Sequence, residues 1–435
     1  MTTTADRTRS VWQAQPARTR PPLVGVRSCD VAVVGAGLAG LSTAVALSEL
    51  GASSVVVVDA EHVAAGASGR GTGLLGPRLG PGLVGTRKRF GDDVTREIYR
   101  WSAAAVRRSV AMIEQYGLAC ELVTGSQLVV AGDRDAAVGQ LDEAGAAADL
   151  GLDDISFVAP GQLPAHASGY RSGLRYDGAA TVDPAALTCE LARVAEARGV
   201  TIYEGSPVRL LRRGTATTIV ETGAGTLIAG RVVVAVNAYG AGLRLTPGVV
   251  GLRVQAGASA PLTAGAAAAL QGLRTEPMIE AGTLNAYYRL TSDGRVLVGG
   301  GATARGIAGS APLSPRYLDA ALQRLHPELA QARIASSWSG PIGMTLDEYP
   351  VLGCDPANPD VAFAGGCCGH GLAYSLQAGA HLARWAGAGT ELALPWSRVA
   401  GKKLPASPLT NFALDRYLAH VSKQAQRRFS APSDR

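Results

Sequence analysis

The stretch 29–61, CDVAVVGAGLAGLSTAVALSELGASSVVVVDAE, constrains this chain more than any other. Val31 to Val34 form an apolar strand, Gly35, Gly37 and Gly40 follow with G-x-G-x-x-G spacing, and a helix opens at Leu38 and Ala39. The first glycine allows a tight turn, the second lets backbone approach a pyrophosphate, and the third lets the helix pack closely on the strand. A pyrophosphate then sits at the positive end of that helix. A second apolar strand, Val55–Val58, ends at Asp59 and Ala60. Asp59 lies 19 residues past Gly40, placed to accept hydrogen bonds from a ribose diol and to disfavour a 2'-phosphate. The pattern reads as an adenine-dinucleotide site, with NADP disfavoured. By itself it suits NAD and FAD equally, and a ligand-free Gly-rich turn is the blander alternative.

A chain of 435 residues exceeds one compact core and predicts two or three domains, one interrupted by another. Apolar content of 47% supports a substantial interior. The excess of 41 basic over 35 acidic residues is only +6, diluted over a large surface, which argues against a nucleic-acid partner. An RNA-modifying role would want exposed aromatics on a basic face, yet aromatics are 5% of the chain. Cysteines at 29, 120, 189, 354, 367 and 368 show neither C-x-x-C nor the spacing of a metal site, so no metal is expected. Reduced thiols, no signal-peptide pattern in residues 1–28 and no run of the ~20 apolar residues needed to span a bilayer predict a cytoplasmic protein without a membrane partner. An oligomer remains open.

Residues 66–85, GASGRGTGLLGPRLGPGLVG, hold eight glycines in twenty residues, backbone able to lie flat against a ligand. A helix is expected over 92–116, a strand over 127–131, an Ala-rich helix over 134–150, and a helix within 181–199 with Asp183 as N-cap and Pro184 at its first position. Strands follow at 200–203, 208–211 and 227–236, the last running into Asn237 and Ala238. Further strands are expected at 259–262, 286–290 and 295–299, the last two joined as a hairpin by Ser292, Asp293 and Gly294. A third Gly-rich turn, 361–371, opens a helix over 372–385, and another helix is expected near 411–428.

Taken in order, the strand-turn-acid unit, ASGR at 67–70, VNAY at 236–239 and CGHG at 368–371 give the chain a resemblance to the FAD-dependent D-amino-acid oxidase superfamily. Within it, the pattern is most similar to gamma-glutamylputrescine oxidase-like amine oxidoreductases, through SVWQA at 10–14, YYRLTSDGRVLVGGG at 287–301 and WSGPIGMTLDEYPVLG at 338–353. The resemblance implies an α/β fold: a discontinuous Rossmann-type, glutathione-reductase-like FAD domain (30–90, 165–250 and 335–435), an inserted α+β substrate domain (91–164 and 251–334) and an N-terminal arm (1–29). It implies that Gly35, Gly37 and Asp59 hold the ADP half of FAD, that Ser68, Gly69, Arg70, Gly71 and Thr72 lie beside the pyrophosphate and flavin, and that Val208 lies near the adenine. Asn237 and Ala238 take the place of the family's small pair, and Gly369, His370, Gly371 and Leu372 take the terminal loop at the flavin ring.

The departures bear on the reaction. Gly71 and Thr72 replace the usual N-G after S-G-R, Thr291 stands where glycine-oxidase-like members carry an arginine for a substrate carboxylate, and Leu297 stands where sarcosine-oxidase-like members carry a lysine that aids oxygen. An amine is thereby favoured over an alpha-amino acid, and the electron acceptor is oxygen or another. Met344 or Thr345 falls where some relatives link the flavin through a cysteine, so FAD is expected to be non-covalent, with Cys354 as the remaining candidate thiol. The implied reaction is hydride transfer from an amine alpha carbon to flavin N5, followed by imine hydrolysis and, with oxygen, hydrogen peroxide formation. His370 is a candidate catalytic residue whose blander role is shaping its loop; Tyr288 is a candidate substrate wall whose blander role is a core tyrosine, and alternation turns Arg289 to the other face. An amino-acid or N-methyl amino-acid dehydrogenase and a non-catalytic flavin subunit are the alternatives. A hydroxylase-type monooxygenase would want Gly-Asp-Ala where 364–367 reads AGGC.

Overall fold

The computed structural model describes residues 9–13, 19–243, 248–282, 286–303, 315–392, 394, 396 and 416. The expected helix at 411–428 lies outside the described residues, apart from Arg416. In chain order come β1 (Gly25–Val34), α1 (Leu38–Glu49), β2 (Val55–Val58), β3 (Leu74–Leu75), α2 (Leu83–Gln115) and β4 (Val123–Ala131). Then follow α3 (Arg134–Asp149), β5 (Ile155–Val158), β6 (Ser172–Thr181), α4 (Pro184–Ala197), β7 (Thr201–Tyr203), β8 (Leu210–Arg213), β9 (Thr218–Glu221) and β10 (Gly225–Val234). The remainder is β11 (Val250–Ser259), α5 (Ala264–Leu270), β12 (Met278–Glu280), β13 (Tyr287–Leu290), β14 (Val296–Thr303), α6 (Arg316–Leu325), β15 (Ile334–Met344), β16 (Val351–Asp355), β17 (Asn358–Gly365) and α7 (Gly371–Ala388).

The first sheet runs β16-β17-β10-β1-β2-β7, with the β8-β9 hairpin paired on β10. Its centre is parallel: Val31 to Val34 of β1 face Val55 to Val58 of β2 on one side and Arg231 to Val234 of β10 on the other. Strands covered on both faces read as unbroken apolar runs, which is why VAVV and VVVV stand in the sequence. One face packs on α1, α4 and α7 through Leu41, Leu47, Leu187, Leu191, Leu376 and Leu382. Asp183 caps α4 by accepting from the N–H of Ala185 and Ala186, both at 2.9 Å, with Pro184 at the first position as expected.

The second sheet runs β15-β11-β14-β13-β12-β4-β6-β3, with β5 paired on β6. It is antiparallel except where β12 meets β4. Strand pairing crosses the segment boundaries expected from sequence, because β6 falls within 165–250 and β15 almost wholly within 335–435, yet both belong to this sheet. The expected helix over 92–116 is the second part of α2, which is interrupted at Gly91, φ +78°. The strand expected at 259–262 does not form: β11 ends at Ser259 and residues 260–262 are not in a strand, whereas the hairpin of β13 and β14 turns at Gly294 as expected.

One face of this sheet packs on α6, burying Leu128, Met278, Tyr288 and Val298 with Leu318 and Leu322. On the opposite face lie two rows, whose Leu174 and Val129 end packs on α2 and α3. Leu174, Val129, Ile279, Tyr287, Gly299, Ala256 and Trp338 are successive neighbours across the strands in one row, and Arg289, Leu297 and Ala258 in the next.

Candidate functional site

The site begins at the helix opening. Gly40 packs against the turn so closely that a Cβ would lie 1.9 Å from the Gly35 carbonyl oxygen, so the third glycine is required by the helix-strand approach. Asp59 accepts from the Ala36 N–H at 2.7 Å and from the Glu61 N–H at 2.9 Å, tying the end of β2 to the glycine turn, and Ala60 lies exposed beside it. Burial raises the pKa of Asp59, with the two amide bonds opposing that shift. Leu38 donates its N–H to Ser68 Oγ at 3.0 Å, and a Cβ on Gly37 would lie 3.0 Å from the same oxygen. Ala39 continues the first turn, its carbonyl accepting from Thr43 Oγ1. Two residues distant in sequence, Leu38 and Ser68, thus meet at the positive helix end, where the family pattern places a pyrophosphate.

Residues 64–73 are held by their carbonyls. Ser10 Oγ donates to Gly69, Trp12 Nε1 to Gly71, Gln13 Nε2 to Ala64 and Trp338 Nε1 to Arg70, at 2.6, 2.9, 2.7 and 2.8 Å. Arg289 Nη1 donates to Thr72 at 3.0 Å, to Gly73 at 3.4 Å and to Val182 at 2.6 Å. Gly73, φ +82°, has no space for a side chain: a Cβ would lie 2.0 Å from the Val182 oxygen and 2.2 Å from Arg289 Nη1. Among the described residues, the N–H groups of Thr72 and Gly73 have no hydrogen-bond partner. The loop therefore gives carbonyls to the N-terminal segment and to the second sheet, while the Thr72 and Gly73 donors stay unused among the described residues.

The far wall is the terminal loop. Asn237, φ +44°, accepts from the Gly366 N–H at 2.8 Å through Oδ1 and donates Nδ2 to Cys367 Sγ at 3.5 Å, while Ala238 is buried beside it. Cys367 and Cys368 point apart, the latter's Sγ lying against the Gly366 carbonyl and Thr345, and burial raises both thiols, Cys367 to about 12. Such thiols pack and do not react readily. Gly369 turns the chain at φ +87°, His370 precedes α7, and a Cβ on Gly371 would lie 3.0 Å from Cys367 Sγ. Leu372 reaches to 3.5 Å of where a Gly71 Cβ would stand, so the 64–73 segment and the terminal loop meet here.

His370 Nδ1 lies 3.1 Å from the Cys368 carbonyl, which can only accept, so Nδ1 carries the ring proton. Burial, with the nearby Arg78 cation, pulls its pKa down to about 4, opposed by that backbone bond. Arg78 stands over the Tyr176 ring, 5.4 Å from its centroid, in a crevice also lined by Leu79, Tyr99 and Ser102.

Tyr288 is not a wall of this site. It is 1% exposed and its hydroxyl donates to Glu280 at 2.8 Å on the α6 side of the sheet, so the core-tyrosine reading holds. Alternation along β13 then places Tyr287 and Arg289 on the site face. Val208 is also interior, packed with Val56 and Val58 before β8 begins. Sequence reasoning passed over Trp12, Arg289 and Trp338 as site residues; their signal was an aromatic or a cation inside stretches already singled out for their order. Among the described residues there is no group of three or more His, Cys, Asp or Glu able to hold a metal, and no helix long and apolar enough to cross a membrane.

A family model described as FAD dependent oxidoreductase matches residues 30–385. The chain belongs to this FAD-dependent oxidoreductase family. It is 29% identical over 398 residues to a probable oxidoreductase OrdL of Rhizobium meliloti, covering 89% of each chain. It is 27% identical over 359 residues to the gamma-glutamylputrescine oxidoreductase of Escherichia coli, covering 81% of this chain and 82% of the relative. Glycine oxidase from Geobacillus kaustophilus has the same fold, with a TM-score of 0.73 at 20% identity over 87% of this chain and 99% of the other. As a member of the FAD-dependent oxidoreductase family the chain is an enzyme that uses FAD, and its residues suit that group: small residues at the helix opening, free amides at 72–73 and a terminal loop closing the far side.

Proposed function

We propose that this enzyme oxidises a C–N bond of an amine, with oxygen as electron acceptor and hydrogen peroxide as product. The observation that carries the reading is the electrostatic character of the site at His370. Burial and the Arg78 cation keep that imidazole uncharged down to about pH 4. A substrate ammonium placed in the same surroundings would be favoured as its neutral amine, whose lone pair assists hydride loss from the adjacent carbon. FAD, when bound, would supply the hydride acceptor; the role of the protein is to orient the C–H, exclude water and favour the neutral amine. The resulting imine hydrolyses to a carbonyl compound and an amine. The likeness to the gamma-glutamylputrescine oxidoreductase supports an amine of this general kind.

In this reading Gly35, Gly37, Leu38, Asp59 and Ser68 hold the ADP half of FAD, the segment from Gly69 to Thr72 and the loop from Gly369 to Leu372 bracket its ring, and Tyr287 lines the substrate side. No covalent link is expected, since Cys367 and Cys368 are protonated and Cys354, also raised by burial, lies on β16 in the first sheet. Leu297, fully buried beside Trp338, favours a second reading in which the acceptor is not oxygen, because no cation stands at that position. The test is an anaerobic screen of polyamines, N-methyl amines and amino acids against the purified flavoprotein, followed by air and peroxide detection. Bleaching by an amine with peroxide on aeration supports the proposal; bleaching without peroxide supports the second reading. Bleaching by none of them overturns both.

A further inference from the structure

The N-terminal segment makes more specific contacts with the flavin-side loop than a connecting arm needs. Within four residues, Ser10, Trp12 and Gln13 each give a side-chain hydrogen bond to a different carbonyl of the 64–73 segment: Gly69, Gly71 and Ala64. Gln13 Oε1 also accepts from the Ser10 N–H at 3.2 Å, closing the segment on itself. Ser10 is 3% exposed, and the Trp12 ring packs on Ala256, Leu297 and Trp338 with the Arg289 guanidinium 5.3 Å from its centroid.

Arg289 is 2% exposed and, among the described residues, forms no ion pair with a carboxylate; its charge rests on carbonyl oxygens and the Trp12 ring. Burial drops its pKa to about 10, opposed by the more distant Glu121 and Asp183. A buried cation of this kind is costly, and here it fastens consecutive carbonyls of a loop that the N-terminal segment fastens from the other end.

We propose that Ser10, Trp12 and Gln13 form a strap that sets the 64–73 segment in its flavin-binding shape, with Arg289 as its anchor on the second sheet. Carbonyls drawn toward the strap leave the Thr72 and Gly73 N–H groups facing the flavin side, as donors to an acceptor atom of the ring. These four are positioning residues. The inference rests on the family's use of FAD and not on the identity of the substrate.

The test uses the full-length protein. Trp12→Phe keeps an aromatic ring at this position and removes the indole N–H together with part of the ring's packing. At about 1 kcal/mol for one such bond, FAD affinity of the apoprotein is expected to fall about fivefold. The triple variant Ser10→Ala, Trp12→Phe, Gln13→Ala loses all three bonds to the loop and is expected to fall on the order of 100-fold. A strap that sets the loop also moves the flavin midpoint potential and visible spectrum of the saturated protein, which a merely structural contact would leave in place. Affinity within about twofold of the parent in the triple variant, or an unchanged potential and spectrum with FAD bound, overturns the proposal. If the triple variant fails to fold, Trp12→Phe decides by the same readouts. Substrate turnover enters neither measurement, so failure of the amine reading leaves this result intact.

Discussion

At His370 the ring proton is committed to the Cys368 carbonyl, and the imidazole stays neutral down to about pH 4. The unfolded chain takes up that proton first, so the residue's contribution to stability is intact above about pH 6.5 and is lost as pH falls from there toward 4. It holds the turn before α7 and has no charge to give in the neutral range. His370→Asn is therefore expected to slow flavin reduction by less than about tenfold, measured by anaerobic rapid mixing, whereas loss of a general base would cost about a hundredfold or more. Tyr288 shows the limit of residue-level reading: period-two alternation was legible along β13, but alternation does not say which face meets the cofactor. The partner strands decide that, since Met278 and Leu128 place Tyr288 over α6 and leave Tyr287 and Arg289 facing the glycine-rich loop.

Among the elements, those with strong local signals were legible. The β1-α1-β2 unit follows from its glycine spacing and apolar runs, α4 from Asp183 and Pro184, and the β13-β14 hairpin from Ser292, Asp293 and Gly294. The strands β6 and β15 were not, because Gly173, Gly178, Ser336, Ser337 and Pro341 dilute their patterns and two-sided pairing supplies the stability. Side-chain networks do similar work. Before β12, Glu276 receives Arg175 of β6 at 2.5 Å and Ser126 of β4 at 2.8 Å, with His166 at 3.5 Å. Burial raises its pKa, but these partners prevail and hold it at about 2. A lowered carboxyl stabilises the fold above its unfolded value of 4.5, and that contribution is lost as pH falls through about 2. Glu276→Gln is expected to cost about 1–3 kcal/mol at pH 7 by urea unfolding, a gap that narrows by about 1 kcal/mol at pH 4.

Across the whole molecule, the glycine-rich segment after β2 is the junction between the two sheets. It meets the opening of α1 at Ser68, Trp338 and Trp12 at Arg70 and Gly71, and Arg289 at Thr72 and Gly73; a Gly80 Cβ would meet the Tyr349 ring at 2.6 Å. An FAD held along this path as proposed would need no covalent bond. Denaturation is expected to release all of the flavin into the filtrate; flavin retained on the denatured chain would show a covalent linkage and contradict this. The choice of substrate was the least legible property, because no motif in the sequence says which side chains face a substrate.

The most direct test is the rate of anaerobic flavin reduction by a bleaching amine as a function of pH. A site that takes up the neutral amine gives a rate at low substrate that rises with pH along the amine's own deprotonation, with no break assignable to His370. A flavin that no amine reduces, or a rate that falls as the amine loses its proton, would contradict the account.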